Sequence, residues 1–167
     1  GVYKDQEEYT KPIEYFMKSL DIKKSLYEGI NHPDIAVSSN NLADVLFDQG
    51  EWKKALFYYS KCLEIEISVY GDKNDGVAQT YNKLGTVYKN LGLPEKALEN
   101  YFKSLNIFKS VYGENDPNPL IAGFYKNIGT VYKDGGHHEA ALEYYFKYLE
   151  IFISVCGENH PDIANSY

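Results

Sequence analysis

The sequence predicts an all-α chain, a solenoid of stacked helix pairs without a single central core, and three features of its 167 residues support this. The chain repeats itself. Ala97 to Gly113 (ALENYFKSLNIFKSVYG) and Ala141 to Gly157 (ALEYYFKYLEIFISVCG) agree at 12 of 17 positions, and Ala55 to Gly71 is an earlier copy 42 residues upstream. Leu84-Gly85-Thr86-Val87-Tyr88-Lys89 likewise returns as Ile128-Gly129-Thr130-Val131-Tyr132-Lys133. The apolar spacing is helical: Leu84, Val87, Tyr88 and Leu91 fall at i, i+3, i+4 and i+7, and Leu98, Tyr101, Phe102 and Leu105 do the same. A turn glycine separates the two segments in each copy. Self-similarity at such a period indicates units that bury their apolar faces against their neighbours.

The register divides the chain into a partial unit at 1–28, units at about 29–70, 71–112 and 113–156, and a partial unit at 157–167. In the first, Val2-Tyr3-Lys4 aligns with Val87-Tyr88-Lys89, so the chain enters partway through a first helix. Glu8 stands in place of the turn glycine, and Pro12 stands where Ala55, Ala97 and Ala141 stand, near the first turn of the second helix. This unit is expected to be the least regular. The next opens with Gly29-Ile30-Asn31-His32-Pro33-Asp34-Ile35-Ala36, where Pro at the first turn and a following carboxylate suit a helix start. Gly50 closes its first helix, as Gly92 and Gly136 do in the later units, and Pro94 opens the second helix of the middle one. Loops vary more than helices: Asp75-Gly76 replaces His-Pro, and Gly113 to Ala122 is two residues longer, with Pro117 and Pro119. Tyr148 stands where Cys62 and Ser104 stand, and its ring is expected to push helices apart or to point outward. Asp162 to Tyr167 matches the opening of another unit. Both ends therefore cut across a unit of a longer array, and self-association through uncapped apolar faces is expected.

Composition narrows the function. A net charge of -7 and a pI near 5.1 argue against nucleic acid, which needs a positive face. All 17 cations are lysine, so the residue best suited to bidentate phosphate contact is missing. Cys62 and Cys156 occupy different repeat positions without a CxxC partner, which suits reduced packing residues. No apolar run has the length of a membrane span and no signal peptide opens the chain, so a cytoplasmic setting without membrane contact is the default. His137-His138 reads as an exposed helix start, since adjacent helical side chains diverge, and His32 and His160 read as loop residues beside Pro. No catalytic, metal or cofactor motif is found, so the chain is read as non-enzymatic.

Leu84, Gly85 and Tyr88, followed by Ala97, Tyr101 and Leu105, resemble the tetratricopeptide repeat, whose standard unit has 34 residues. The 42-residue unit, with the Gly157 to Ala164 loop and Asn40-Asn41-Leu42-Ala43, resembles the repeats of kinesin light chains. The resemblance implies a right-handed superhelical solenoid whose first helices line a concave groove for an extended peptide or partner helix. Carried over, the groove positions are Asn40, Asn41, Asp44 and Asp48, then Gln79, Asn82, Lys83, Thr86, Lys89 and Asn90, then Lys126, Asn127, Thr130, Lys133 and Asp134. Asparagine suits the task because its amide both donates to and accepts from a peptide backbone. The lysines favour an acidic ligand, and the kinesin light chain resemblance implies cargo motifs with a tryptophan among acidic residues. Tyr81 and Tyr125 are expected at the groove edge. The expected function is a protein-binding scaffold of adaptor type; the alternative is a structural or autoinhibitory arm of a larger signalling protein.

Overall fold

A computed structural model describes residues 2–28, 30–114 and 118–156, with side chains from residue 12 to residue 155 of those spans. Among the described residues seven helices follow in order: α1 Val2–Leu26, α2 Pro33–Asp48, α3 Trp52–Tyr70, α4 Asp75–Asn90, α5 Pro94–Tyr112, α6 Pro119–Asp134 and α7 His138–Cys156. α2 with α3, α4 with α5, and α6 with α7 form the closest pairs, and α1, α3 and α5 each pack next against the helix that follows. This is the contact pattern of a solenoid. Pro117 and the partial unit at 157–167 lie outside the described residues.

Each pair turns on the glycine that the sequence marks. Gly50, Gly92 and Gly136 have φ of +77°, +72° and +77°, the left-handed region that closes a helix. The same two bonds form each time: Gly50 N–H donates to Phe47 O at 2.9 Å and Glu51 N–H to Leu46 O at 2.9 Å, and Leu93 and His137 repeat the second bond to Tyr88 O and Tyr132 O. Counted five residues before Pro12, as Gly50 is before Ala55, the turn position falls on Glu7, next to Glu8; neither glutamate has such freedom, and here the expectation fails. α1 is one continuous helix of 25 residues that runs through Glu8, with Pro12 in its interior instead of its first turn. Without a residue suited to φ > 0, the chain stays helical where its neighbours turn.

The opposite helix ends are capped by side chains. Asn74 accepts from Gly76 N–H at 2.8 Å and Asn118 from Leu120 N–H at 2.9 Å. His32, read from sequence as a loop residue, has the same job: its Nδ1 accepts from Asp34 N–H at 3.2 Å while its ring stacks on Tyr27 at 3.5 Å. His137 and His138 are exposed at the start of α7, as read.

The paired helices approach closely because one of them has almost no side chain at the crossing. A Cβ on Gly85 would lie 2.6 Å from the Tyr101 ring, and one on Gly129 would lie 3.0 Å from Tyr145. Tyr101 is fully buried, a burial that contributes roughly 1.5–3 kcal/mol. Two core clusters run along the stack. One gathers Leu42, Ala43, Tyr59, Cys62 and Val87, and the other Ala97, Tyr101, Phe108, Ile128 and Val131. Tyr125, expected at the groove edge, is buried in the second, while Tyr81 is half-buried. Tyr148 does not wedge α6 from α7: it is half-buried against the second cluster, tilted on Phe152 at 5.6 Å, with Lys126 Nζ 5.7 Å from its ring centre.

Gly85→Ala should lower thermal stability, because overpacking against a buried ring costs about 1–3 kcal/mol while the helix-propensity gain returns about 1 kcal/mol. Gly129→Ala, with the longer 3.0 Å approach, should cost less. Thermal melts of both variants check the ranking; equal melting temperatures would contradict it.

Candidate functional site

The first helices α2, α4 and α6 carry the residues carried over to a groove, and a repeated bond joins these helices side by side. Asn40, Asn82 and Lys126 are equivalent positions, as are Asn41, Lys83 and Asn127. Lys83 Nζ donates to Asn40 Oδ1 at 2.8 Å, and one unit later Asn127 Nδ2 donates to Asn82 Oδ1 at 2.9 Å. The second member of each dipeptide thus bonds back to the first member of the preceding one. Lys83 also donates to Asp44 Oδ1 and Oδ2 at 2.8 and 3.0 Å, and Asn40 Nδ2 donates to Asp44 Oδ2 at 3.1 Å. Asn41 approaches the same cluster, accepting from Asn40 Nδ2 at 3.5 Å. Lys83 is therefore not a free cation; its charge is spent on Asp44.

Thr86 and Thr130 have a double attachment. Each bonds its own helix, to Asn82 O at 3.1 Å and Lys126 O at 2.8 Å. Each also meets the hydroxyl of the tyrosine that packs against the neighbouring glycine: Tyr101 at 3.0 Å and Tyr145 at 3.3 Å. Asp44 fills that position in the first full unit and accepts from Tyr59 OH at 2.5 Å. Burial and the adjacent Asp44 carboxylate raise the Tyr59 phenol above its ordinary range, and burial pushes Tyr101 up to about 12. Gln79 and Lys133 are exposed, Lys89 is half-buried, and none of these three makes a side-chain hydrogen bond among the described residues. Lys126 is exposed beside Tyr148. The structure thus splits the expected set: Asn40, Asn41, Asp44, Lys83, Asn82, Asn127, Thr86 and Thr130 form a bonded floor, and Gln79, Lys89, Lys126 and Lys133 make no side-chain hydrogen bond among the described residues.

Behind the floor, each second helix meets the next first helix at a recurring side-chain pair, and the chemistry of that pair changes along the stack. Lys23 Nζ donates to Ser38 Oγ at 2.8 Å, Thr80 Oγ1 donates to Glu66 Oε2 at 2.7 Å, and Phe108 packs edge-on against Phe124 at 5.3 Å. All three pairs occupy one repeat position. Small residues at the middle junction leave a cleft of about 180 Å³ among Asn40, Cys62, Glu66, Gln79, Thr80 and Lys83. Sequence reading missed it, although Glu66 opposite Phe108 in the alignment was a visible signal. Cys62 forms its back wall, buried, outside any disulfide and with its Sγ 3.9 Å from Thr80 Oγ1; burial, then the Glu66 charge, push its thiol up to about 12.

These features define an all-α repeat scaffold whose polar face is built from successive first helices. A tetratricopeptide-repeat family model matches residues 1–68, 34–110 and 76–154, and the chain belongs to that family. Among solved structures, BtubC (BKLC) from P. vanneervenii is similar over 96% of this chain and 62% of its own, with 24% identity and a TM-score of 0.80. The chain thus spans less than two thirds of BtubC. A Podosopora anserina kinesin-light-chain-type protein with nearly identical TPR-like repeats matches 99% of this chain and 77% of its own, at 16% identity and a TM-score of 0.78. The N-terminal domain of stress-induced protein-1 from C. elegans is more distant, at 17% identity and a TM-score of 0.59 over 80% of this chain and 91% of its own. A comparison with curated proteins finds no match. The tetratricopeptide repeat is generally a non-catalytic protein-interaction scaffold, and no described helix is long and apolar enough to cross a membrane.

Two outcomes follow. Asp44→Asn and Lys83→Met in a double-mutant cycle should show coupling of up to about 1 kcal/mol that shrinks in high salt, given side-chain exposures of 42% and 33%. Additive effects would mean that the bond does not hold α2 to α4. In a Cys156→Ser background, Cys62 should react with a thiol reagent at pH 8 at least about a hundredfold more slowly than after unfolding in urea, because its thiolate is scarce and shielded. The same shift means that alkaline pH favours the unfolded chain, whose thiol ionises first, from its ordinary value of 9.0 upward.

Proposed function

We propose that the chain is a non-catalytic adaptor segment that holds a linear peptide or partner helix along α2, α4 and α6. The observation that carries this reading is the asparagine ladder. Asn127 spends one amide hydrogen and Asn82 one carbonyl lone pair on their mutual bond, which leaves Asn82 both of its amide hydrogens and Asn127 its carbonyl. A ligand backbone can take up these remaining groups at fixed spacing, without the ligand's own sequence being read. Lys89, Lys126 and Lys133 add a preference for acidic residues along the second and third full units, whereas Lys83 adds none because Asp44 neutralises it.

Panning a random dodecamer library on the immobilised chain should enrich peptides containing Asp or Glu. Replacing Lys89 and Lys133 together with Ala should weaken the selected peptides by about tenfold, from two exposed charge pairs of up to about 1 kcal/mol each, with the melting temperature unchanged. Failure to enrich any peptide over an unrelated helical protein would overturn the groove reading. The ladder asparagines are a poorer test, since Asn82→Ala and Asn127→Ala also remove a bond between units.

A further inference from the structure

The cleft between the first and second full units has a chemistry that the proposed groove does not use. Its floor carries one uncompensated charge. Lys83, the only cation lining it among the described residues, is bonded to Asn40 and twice to Asp44, so those charges cancel and the Glu66 carboxylate remains. Glu66 Oε2 accepts from Thr80, which fixes the carboxylate in place. Oε1 lies 3.1 Å from where a Cβ on Gly76 would stand, so the absence of a side chain at 76 keeps that oxygen open. The corresponding residue in the next unit is Leu120, and there Phe108 and Phe124 occupy the places of Glu66 and Thr80. The middle junction therefore combines a carboxylate with space in front of it, and the next junction has neither.

Size and polarity narrow the occupant. About 180 Å³ is below the roughly 300–1,000 Å³ of small-molecule sites, so the cleft fits one side chain better than a whole cofactor. The walls offer an aliphatic surface at Val37, a half-buried carboxylate at the end, and the free amide of Gln79 at the rim. An apolar stem with a cationic head matches that sequence of surfaces. The net charge of -7 favours the approach of such a group.

From this geometry we infer that the cleft is a specificity subsite for a lysine or arginine side chain of the bound peptide, with Glu66 as its counterion. The inference rests on the groove reading, because the ligand backbone must cross α2 and α4 to deliver the side chain. It makes the ligand bipolar. A basic residue enters between the first two full units, and acidic residues lie over Lys126 and Lys133 further along.

The test uses N-acetyl-arginine methylamide, with N-acetyl-citrulline methylamide as the uncharged control of similar shape. Titrated into the isotopically labelled chain, the arginine compound should shift the backbone amides of Gly76, Gln79 and Thr80, and the citrulline compound should shift them at least about tenfold more weakly at equal concentration. Glu66→Gln should remove the difference while retaining the wild-type helical spectrum. If that variant fails to fold, Gly76→Leu, which fills the space in front of Oε1 with the residue of the next unit, should remove it instead. Equal shifts with both compounds, or shifts confined to residues outside the cleft, would overturn the subsite. Because single amino-acid amides are used, the outcome is independent of whether the dodecamer library yields a binder. Library peptides that depend on Lys89 and Lys133 but carry no basic residue would leave the groove standing and remove the subsite.

Discussion

Each helix pair closes on a tyrosine ring from the second helix set against a residue with little or no side chain on the first. Gly85 with Tyr101 and Gly129 with Tyr145 show the limit of that approach, since a single added carbon would enter the ring's contact distance. The contact does more than fill space. The ring spans the pair, so its hydroxyl emerges on the other side and bonds Thr86 or Thr130, or Asp44 through Tyr59. Packing within a pair thereby fixes the polar residues at the centre of the candidate face, and a change in the crossing distance moves the face with it.

Between pairs a different rule applies. The first helices are joined edge to edge by the Asn and Lys ladder, and the second helices meet the next first helix through pairs that are polar at two junctions and aromatic at the third. An array with identical junctions could stack in any order. Here Glu66 opposite a phenylalanine, or Lys23 opposite one, would bury a charge without a partner, at a cost of several kcal/mol. The same variation that fixes the order also leaves one cleft open, at the junction where the pair is small and charged. Ser104 shows the opposite compromise: it takes the place of Cys62 in the packed junction, with its hydroxyl buried and unpaired.

How much was legible depended on the range of the interaction. Gly50, Gly92 and Gly136 act within one turn of chain, and their closing bonds followed directly from the sequence. α1 departed from the pattern for a local reason too, since Glu7 and Glu8 lack the backbone freedom of those glycines. Asn40, Asn82, Lys83 and Asn127 were placed on the right helices, but their bonds to one another span 43 and 45 positions and depend on how far each unit rotates on the last. Tyr125 was misplaced because helical spacing gives a direction about the helix axis and not the depth of the neighbour that covers it. The cleft was invisible for the same reason: it consists of what Thr80 and Gly76 fail to fill.

The sequence by itself determined that the chain is helical, that it repeats at about 42 residues, and which glycines close the first helices of the full units, because all three follow from spacing and backbone preference within a few residues. It also separated the packing face from the polar face of each first helix. Only the tertiary structure decided which of those polar residues are free. Lys83 and Lys89 look alike in the chain, yet one is tied to Asp44 on the preceding unit and the other makes no side-chain hydrogen bond among the described residues. That difference arises from the stacking of units, a geometry no single repeat contains.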